Sequence, residues 1–214
     1  MKITVLCSSE NHPVNDMLNT WIRKNSATHQ VKLARTKREL DGGDLLFLIS
    51  CSELITEEER GKFKKSLVIH ASDLPKGRGW SPHVWEIING SDELVVSLIE
   101  AENKVDSGSI WKKIKVVVPK HALYDELNEI LFQAESVLMD FAVESFDSIV
   151  PLPQNNTQLS SYYPKRTPAD SELDINRSIS DQFDLMRVCD PDRFPAFFKI
   201  HGHTYELKLK KVEN

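Results

Sequence analysis

The run Asp44 to Cys51 (DLLFLISC) has no polar face. A strand apolar on both sides must be covered on both sides, and strands of that kind lie in the middle of parallel sheets. Its surroundings agree. Lys2 to Cys7 is apolar and β-branched, and after a polar stretch and Pro13 come Val14, Met17, Leu18, Trp21 and Ile22 at helical spacing. Gln30 to Ala34 alternates as a short strand, Glu57 to Glu59 start a helix, and Ser66 to His70 (SLVIH) supplies another strand. Strands alternating with helices predict an α/β fold with an open, mostly parallel sheet. Ligands of such sheets sit beyond the carboxyl ends of the strands, so the loops after Cys7, Cys51 and His70 are expected to converge on one crevice.

Further along, Val84 to Ile88 reads as a short helix, and Leu94 to Glu102 and Ile110 to Val118 as longer strands. Tyr124 to Ser145 puts Leu127, Ile130, Leu131, Ala134, Val137, Leu138 and Phe141 on one stripe, predicting a long helix packed on the sheet. Four prolines between Pro151 and Pro168 mark an ordered loop or linker. Ser178 with Asp181 looks like a capping box, opening a helix that turns Ile179, Phe183 and Met186 inward. Ala196 to Lys210 reads as a hairpin turning at His201-Gly202. The chain divides into residues 1–150 and a C-terminal extension, 151–214, of loop, helix and hairpin.

A net charge of -5 argues against a sequence-independent grip on nucleic acid or an anionic membrane, both of which need a basic face. No window approaches the ~18 apolar residues of a spanning helix, and the N-terminal apolar run is too brief for a secretory segment. Cys7, Cys51 and Cys189, with no CxxC spacing, fit reduced thiols in the cytoplasm. No metal is expected, because His201-Gly202-His203 lies at a predicted turn with no third ligand nearby.

The densest chemical signal is His70 to Trp85, HASDLPKGRGWSPHVW. A histidine closing a buried strand, with a Pro/Gly-rich turn behind it, holds an imidazole at the crevice mouth where a general base belongs. His70, Ser72, Leu74-Pro75, Arg78-Gly79, Pro82 and Trp85 together resemble the active-site segment of the methionyl-tRNA formyltransferase family. Asp106-Ser107-Gly108 with Ile110 is similar to that family's second motif, in the right order and at the right gap.

The resemblance implies a Rossmann-like formyltransferase fold with residues 1–150 as the catalytic domain. It implies 10-formyltetrahydrofolate as donor, a primary amine as acceptor, and a His70–Asp106 pair as the catalytic centre. Residue 68, where the family carries the Asn of its Asn, His, Asp triad, is Val68 here. That amide would stabilise the developing oxyanion, worth roughly 3 kcal/mol of barrier in comparable sites. Protonated His70, a backbone N–H near Ser72, and Asn103 are the replacements considered, in that order. The pterin is expected between the loops after Cys51 and before Asp106, with Ser52, Leu54, Ile55, Glu102 and Val105 as its walls.

The acceptor is read from what remains. Only a short segment follows the long helix, in a chain that is acidic overall, which disfavours tRNA. Tyr162 to Asn176 resembles the C-terminal part of sugar N-formyltransferases, and Lys165 and Arg166 supply charge suited to a phosphate on a proline-stiffened loop. Ser8, Ser9, Asn11 and His12, at the start of the first helix, form a second candidate phosphate site. No GxGxxG occurs there, which argues against NAD or FAD. Ser72 and Arg78, from the His70 motif, complete the candidate substrate-binding set.

The form Leu-Pro-Lys-Gly-Arg-Gly-Trp-Ser-Pro is similar to small formyltransferases of pseudaminic acid biosynthesis. It implies a UDP-linked 4-amino-4,6-dideoxy-N-acetyl sugar, such as the altrosamine, as acceptor. Formylation of another primary amine, and a degenerate protein that only binds nucleotide sugar or folate, are the alternatives. The residues do not set the oligomeric state, and a homodimer is kept open.

Overall fold

The computed structural model describes residues 1–155 and 159–212, so residues 156–158 of the proline-rich segment lie outside it. Strands β1 (Lys2–Leu6), β2 (Gln30–Ala34), β3 (Gly43–Leu48) and β4 (Phe63–His70) pair in parallel. Helices α1 (Asn15–Asn25) and α2 (Glu57–Arg60) lie between them in the chain. Beyond the two-residue β5 (Arg78–Gly79) and helix α3 (Pro82–Ile88), strands β6 (Glu93–Glu100) and β7 (Ile110–Val117) add antiparallel. The sheet runs β2-β1-β3-β4-β6-β7, and its order reverses at β1 and β3. A crevice opens beyond the strand ends at such a reversal, because the connections leave β1 and β3 toward opposite sides.

β3 is buried on both faces, as its composition requires. Leu45 and Phe47 pack with Leu18 and Trp21 of α1 and with Leu131, Leu138 and Met139 of the long helix α4 (Tyr124–Glu144). Leu46 and Leu48 face Leu40, Ile55 and Phe63. Trp21 Nε1 and Lys24 Nζ both donate to Asp140, at 2.8 and 2.7 Å, and fasten α1 to α4. The predicted strand through Cys51 stops at Leu48, because Ser50 turns into the left-handed region at φ 47° and carries the chain out over the crevice.

On α4 the predicted stripe is inward except at Val137, which is 54% exposed. The proline-rich segment is more than a linker, because β8 (Tyr162–Tyr163) returns to pair with β5. Helix α5 (Ile179–Arg187) begins on the expected cap, Ser178 Oγ accepting from Asp181 N at 3.1 Å, although Ile179 faces solvent. Strands β9 (Ala196–Ile200) and β10 (His203–Leu207) form the expected hairpin, with His201 and Gly202 both at positive φ as a two-residue turn requires.

Arg187, 1% exposed, fastens α5 to the loop before α4 by donating to the carbonyls of Pro119 and Ala122 while pairing with Asp184. Arg187→Met leaves these acceptors unpaired, so we expect a loss of about 3 kcal/mol, read as a lower denaturant midpoint at unchanged slope.

Candidate active site

β4 ends on His70, which is 8% exposed and pinned by the turn that follows. Its Nε2 lies 2.8 Å from the carbonyl of Gly77. A carbonyl only accepts, so Nε2 carries the hydrogen, and the lone pair of the neutral ring falls on Nδ1. Nδ1 stands 3.5 Å from Asp106 Oδ1. The structure thus brings together the two residues picked from motifs far apart in the chain.

The loop bearing Asp106 is held from several directions. Asp106 takes φ 55°, its Oδ2 accepts from Gly79 N at 2.9 Å, and its carbonyl accepts from Arg78 Nε at 3.1 Å and from Gln154 Nε2 at 2.8 Å. Gln154 also bonds the Gly108 carbonyl and accepts from Arg78, closing the frame. Gly108 could not carry a side chain, since a Cβ there would sit 1.8 Å from the Glu100 carbonyl oxygen. The guanidinium of Arg78 is bonded to the Asp106 carbonyl and to Gln154 and lines neither cavity described below, so here it frames the Asp106 loop.

Two cavities of about 400 Å³ each meet at His70 and share Ile69, Gly79, Trp80 and the segment Ser50–Ser52. One lies between the loop after β3 and the loop before Asp106. Ser52, Leu54, Ile55, Glu102 and Val105 all line it, with Leu48, Val68 and Ile99 as apolar floor. Asn103 does not line it. Its carboxamide is spent on the surface, accepting from Arg60 at 2.5 Å and donating to Glu57 at 3.1 Å, which corrects its place as a candidate catalytic group.

The other cavity lies under α4 and the returning C-terminal segment. Lys165 and Arg166 line it, brought there by the β5–β8 pairing, with Lys165 Nζ 4.8 Å above the Trp80 ring. Trp85 Nε1 donates to the Pro164 carbonyl at 3.0 Å and the Trp85 ring stacks on Tyr163. Of the group at the start of α1, His12 alone lines the cavity. Ser8 ties the Cys51 and Ser52 loop down, the Ser9 carbonyl accepts from Asn15 and Arg35, and Asn11 faces solvent. The N–H groups of His12, Val14 and Asn15 are already bonded locally, so the expected anion cradle is absent among these donors. Ser72 lies 2% exposed beneath the turn and lines neither cavity, which sets it apart from the expected substrate-binding group.

Residues that motif reading missed line this second cavity: Asn128 and Glu135 of α4, and His83 of α3. Glu135 was visible as a lone carboxylate four residues from both Leu131 and Met139 on the buried stripe. Burial pushes its pKa up to about 8, so it is neutral in the free protein at pH 7. The stability associated with its proton is fully present below the ordinary value of 4.5 and lost as pH rises through about 8. Burial likewise lowers His83 to about 4, helped by His70 and His12, and lowers His12 to about 4, helped by Arg193 and opposed by Asp190.

Fold and site define an α/β protein with a histidine–carboxylate pair at the carboxyl edge of its sheet, between two adjoining ligand-sized cavities. The comparisons place that class. Residues 1–143 match the family model described as formyl transferase, and the chain belongs to the formyl transferase family. It is 30% identical over 174 residues to a methionyl-tRNA formyltransferase of Protochlamydia amoebophila, covering 79% of this chain and 54% of the relative. The chain spans about half the length of the curated relatives it matches.

Among solved structures it is similar to a methionyl-tRNA formyltransferase from Clostridium thermocellum. The TM-score is 0.80 at 20% identity, covering 100% of this chain and 94% of that one. It is also similar to a Mycobacterium tuberculosis protein whose description reads "likely sugar N-formyltransferase". There the TM-score is 0.76 at 15% identity, covering 100% and 98% of the two chains. These likenesses establish the shared fold. Among the described residues no helix is long and apolar enough to cross a membrane.

Proposed function

We propose that the protein transfers a formyl group from 10-formyltetrahydrofolate to the 4-amino group of a nucleotide-linked amino-dideoxy sugar. The observation that carries this reading is His70 standing on the partition between two cavities of different character. The cavity beside β3 and β4, with the apolar faces of Leu48, Val68 and Ile99 and a polar rim at Glu102, suits a flat heteroaromatic pterin. The donor supplies an activated formyl carbon. The other cavity, with Lys165 and Arg166 on its wall, suits a phosphorylated acceptor.

Nδ1 of His70 takes the proton of the acceptor amine as it attacks. The resulting imidazolium lies between two acceptors, the Gly77 carbonyl and the Asp106 carboxylate, both already in place. The other oxygen of Asp106 accepts from the Gly79 N–H, which fixes the carboxyl group beside the ring. The same Nδ1–H then returns the proton to the departing nitrogen. Of the three replacements weighed for the missing Asn at Val68, Asn103 is engaged elsewhere, its carboxamide bonded to Arg60 and Glu57.

A second reading has one specific support: the relative quoted above is a methionyl-tRNA formyltransferase. The two are separated by supplying 10-formyltetrahydrofolate with a panel of UDP-, dTDP- and GDP-linked 4-amino sugars beside methionyl-tRNA. The sugar reading expects a formylated nucleotide sugar and stoichiometric tetrahydrofolate. Turnover with methionyl-tRNA alone overturns it, and formate release without any amine would identify a hydrolase.

A further inference from the structure

The face of α4 toward the second cavity carries Asn128, Leu131, Phe132 and Glu135 in order. Asn128 and Glu135 are two turns apart, about 10 Å along the helix axis. Glu135 is 7% exposed, and its Oε2 and the Asn128 Nδ2 are buried with no partner at hydrogen-bond geometry among the described residues, although Asn128 lies near enough to the Tyr124 phenol to influence it. Buried polar groups in a folded protein are nearly always paired, so two orphans on one helix face, both walls of a cavity that opens on His70, call for an explanation outside the apo chain.

Resting on the sugar reading above, we propose that Asn128 and Glu135 are the specificity-determining pair for the acceptor. They select a compact body with hydrogen-bonding groups at both ends and an apolar edge between, such as a deoxy-pyranose. The spacing carries the argument. Groups about 10 Å apart at the backbone cannot both meet one small polar function, yet their side chains can reach substituents on opposite sides of a single sugar ring. Leu131 and Phe132, between them on the same wall, meet the edge of the ring that lacks hydroxyls.

An apolar amino-acid side chain in the same space would leave both polar groups unpaired, which is the situation in which polar sites discriminate most strongly. Burial favours the neutral form of Glu135, so it offers hydrogen bonding in this enclosed position without adding a charge. Positive charge on the wall is confined to Lys165, Arg166 and Arg193, and Arg193 is already paired with Asp190. Neither Asn128 nor Glu135 moves a proton in the reaction. They are positioning groups.

The test uses the full chain with saturating 10-formyltetrahydrofolate and a UDP-linked 4-amino-4,6-dideoxy-N-acetyl hexose as probe. Asn128→Leu and Glu135→Leu are each expected to raise the acceptor KM about tenfold, the loss of roughly one buried hydrogen bond, with kcat and donor KM nearly unchanged. Glu135→Gln, which keeps hydrogen-bonding capacity, is expected to hold the KM within about threefold of wild type. Glu135→Leu is also expected to raise the thermal midpoint, since a buried unpaired carboxyl is replaced by a hydrocarbon. A structural role for Glu135 would lower it.

Unchanged acceptor KM in both leucine variants, with wild-type sugar turnover intact, overturns the pair and leaves the sugar reading standing. A lower midpoint for Glu135→Leu, or a parallel rise in donor KM, overturns the pair in favour of general damage. No turnover of any nucleotide amino sugar by the wild-type chain overturns both.

Discussion

Replacing His70 by alanine should lower formyl transfer by about 10²–10⁴-fold, the range expected when a positioned general base is removed. The expectation rests on Nδ1 being the only ring nitrogen with a free lone pair, because Nε2 is tied to the Gly77 carbonyl at 2.8 Å. Alanine also leaves that carbonyl without its donor, costing about 1–3 kcal/mol of stability, so loss of activity alone would be ambiguous. His70→Gln resolves this. Its amide can donate to Gly77 and keep the turn in place, but it has no basic nitrogen, and it should be as inactive as alanine while recovering most of the denaturant midpoint. Turnover near the wild-type rate in either variant removes His70 from the chemistry.

The second large effect is structural in origin. Gly79→Ala should destabilise the protein by about 3 kcal/mol or more, because strain and overpacking act together. Gly79 holds φ 98°, where a side chain is strained, and a Cβ there would lie 2.3 Å from the Tyr163 carbonyl oxygen and 2.9 Å from the Tyr162 ring. Neither neighbour can yield without parting β5 from β8, the pairing that returns Lys165 and Arg166 to the cavity. The Gly79 N–H is also the donor that fixes Asp106 Oδ2. The variant should therefore show a lower denaturant midpoint, a weaker grip on the acceptor and a slower chemical step. A wild-type midpoint would mean that the β5–β8 contact is loose and that the acceptor wall is built some other way.

These two residues differ in how far they could be read before folding. His70 announces itself through local facts: a β-branched, apolar strand runs into it and a Pro/Gly turn follows. The need for glycine at 79 cannot be seen locally, because what crowds it is a pair of tyrosines more than eighty positions later in the chain. Arg78 and Asn103 failed as candidate substrate or catalytic groups for the same reason. Each has suitable chemistry, and in each case the hydrogen-bonding capacity is taken by a partner that only folding brings near. Lys165 and Arg166 went the other way, from loop cations to cavity walls, through the β5–β8 return.

Local pattern was enough for the alternation of strands and helices, the buried β3, the stripe of α4 and the His70 segment, whereas Asp106 stood out only through the family resemblance. Periodicity and turn chemistry are properties of neighbouring residues, and they survive into the fold unchanged. Tertiary structure alone decided that the last two strands of the sheet run antiparallel and that Asp106 is framed by Gln154. It also decided that Glu135, one carboxylate on an otherwise apolar stripe, ends at the wall of a cavity with its Oε2 unpartnered among the described residues. Whether a polar side chain is paired, spent or left waiting depends on groups remote in sequence, and the chain has to close before that is determined.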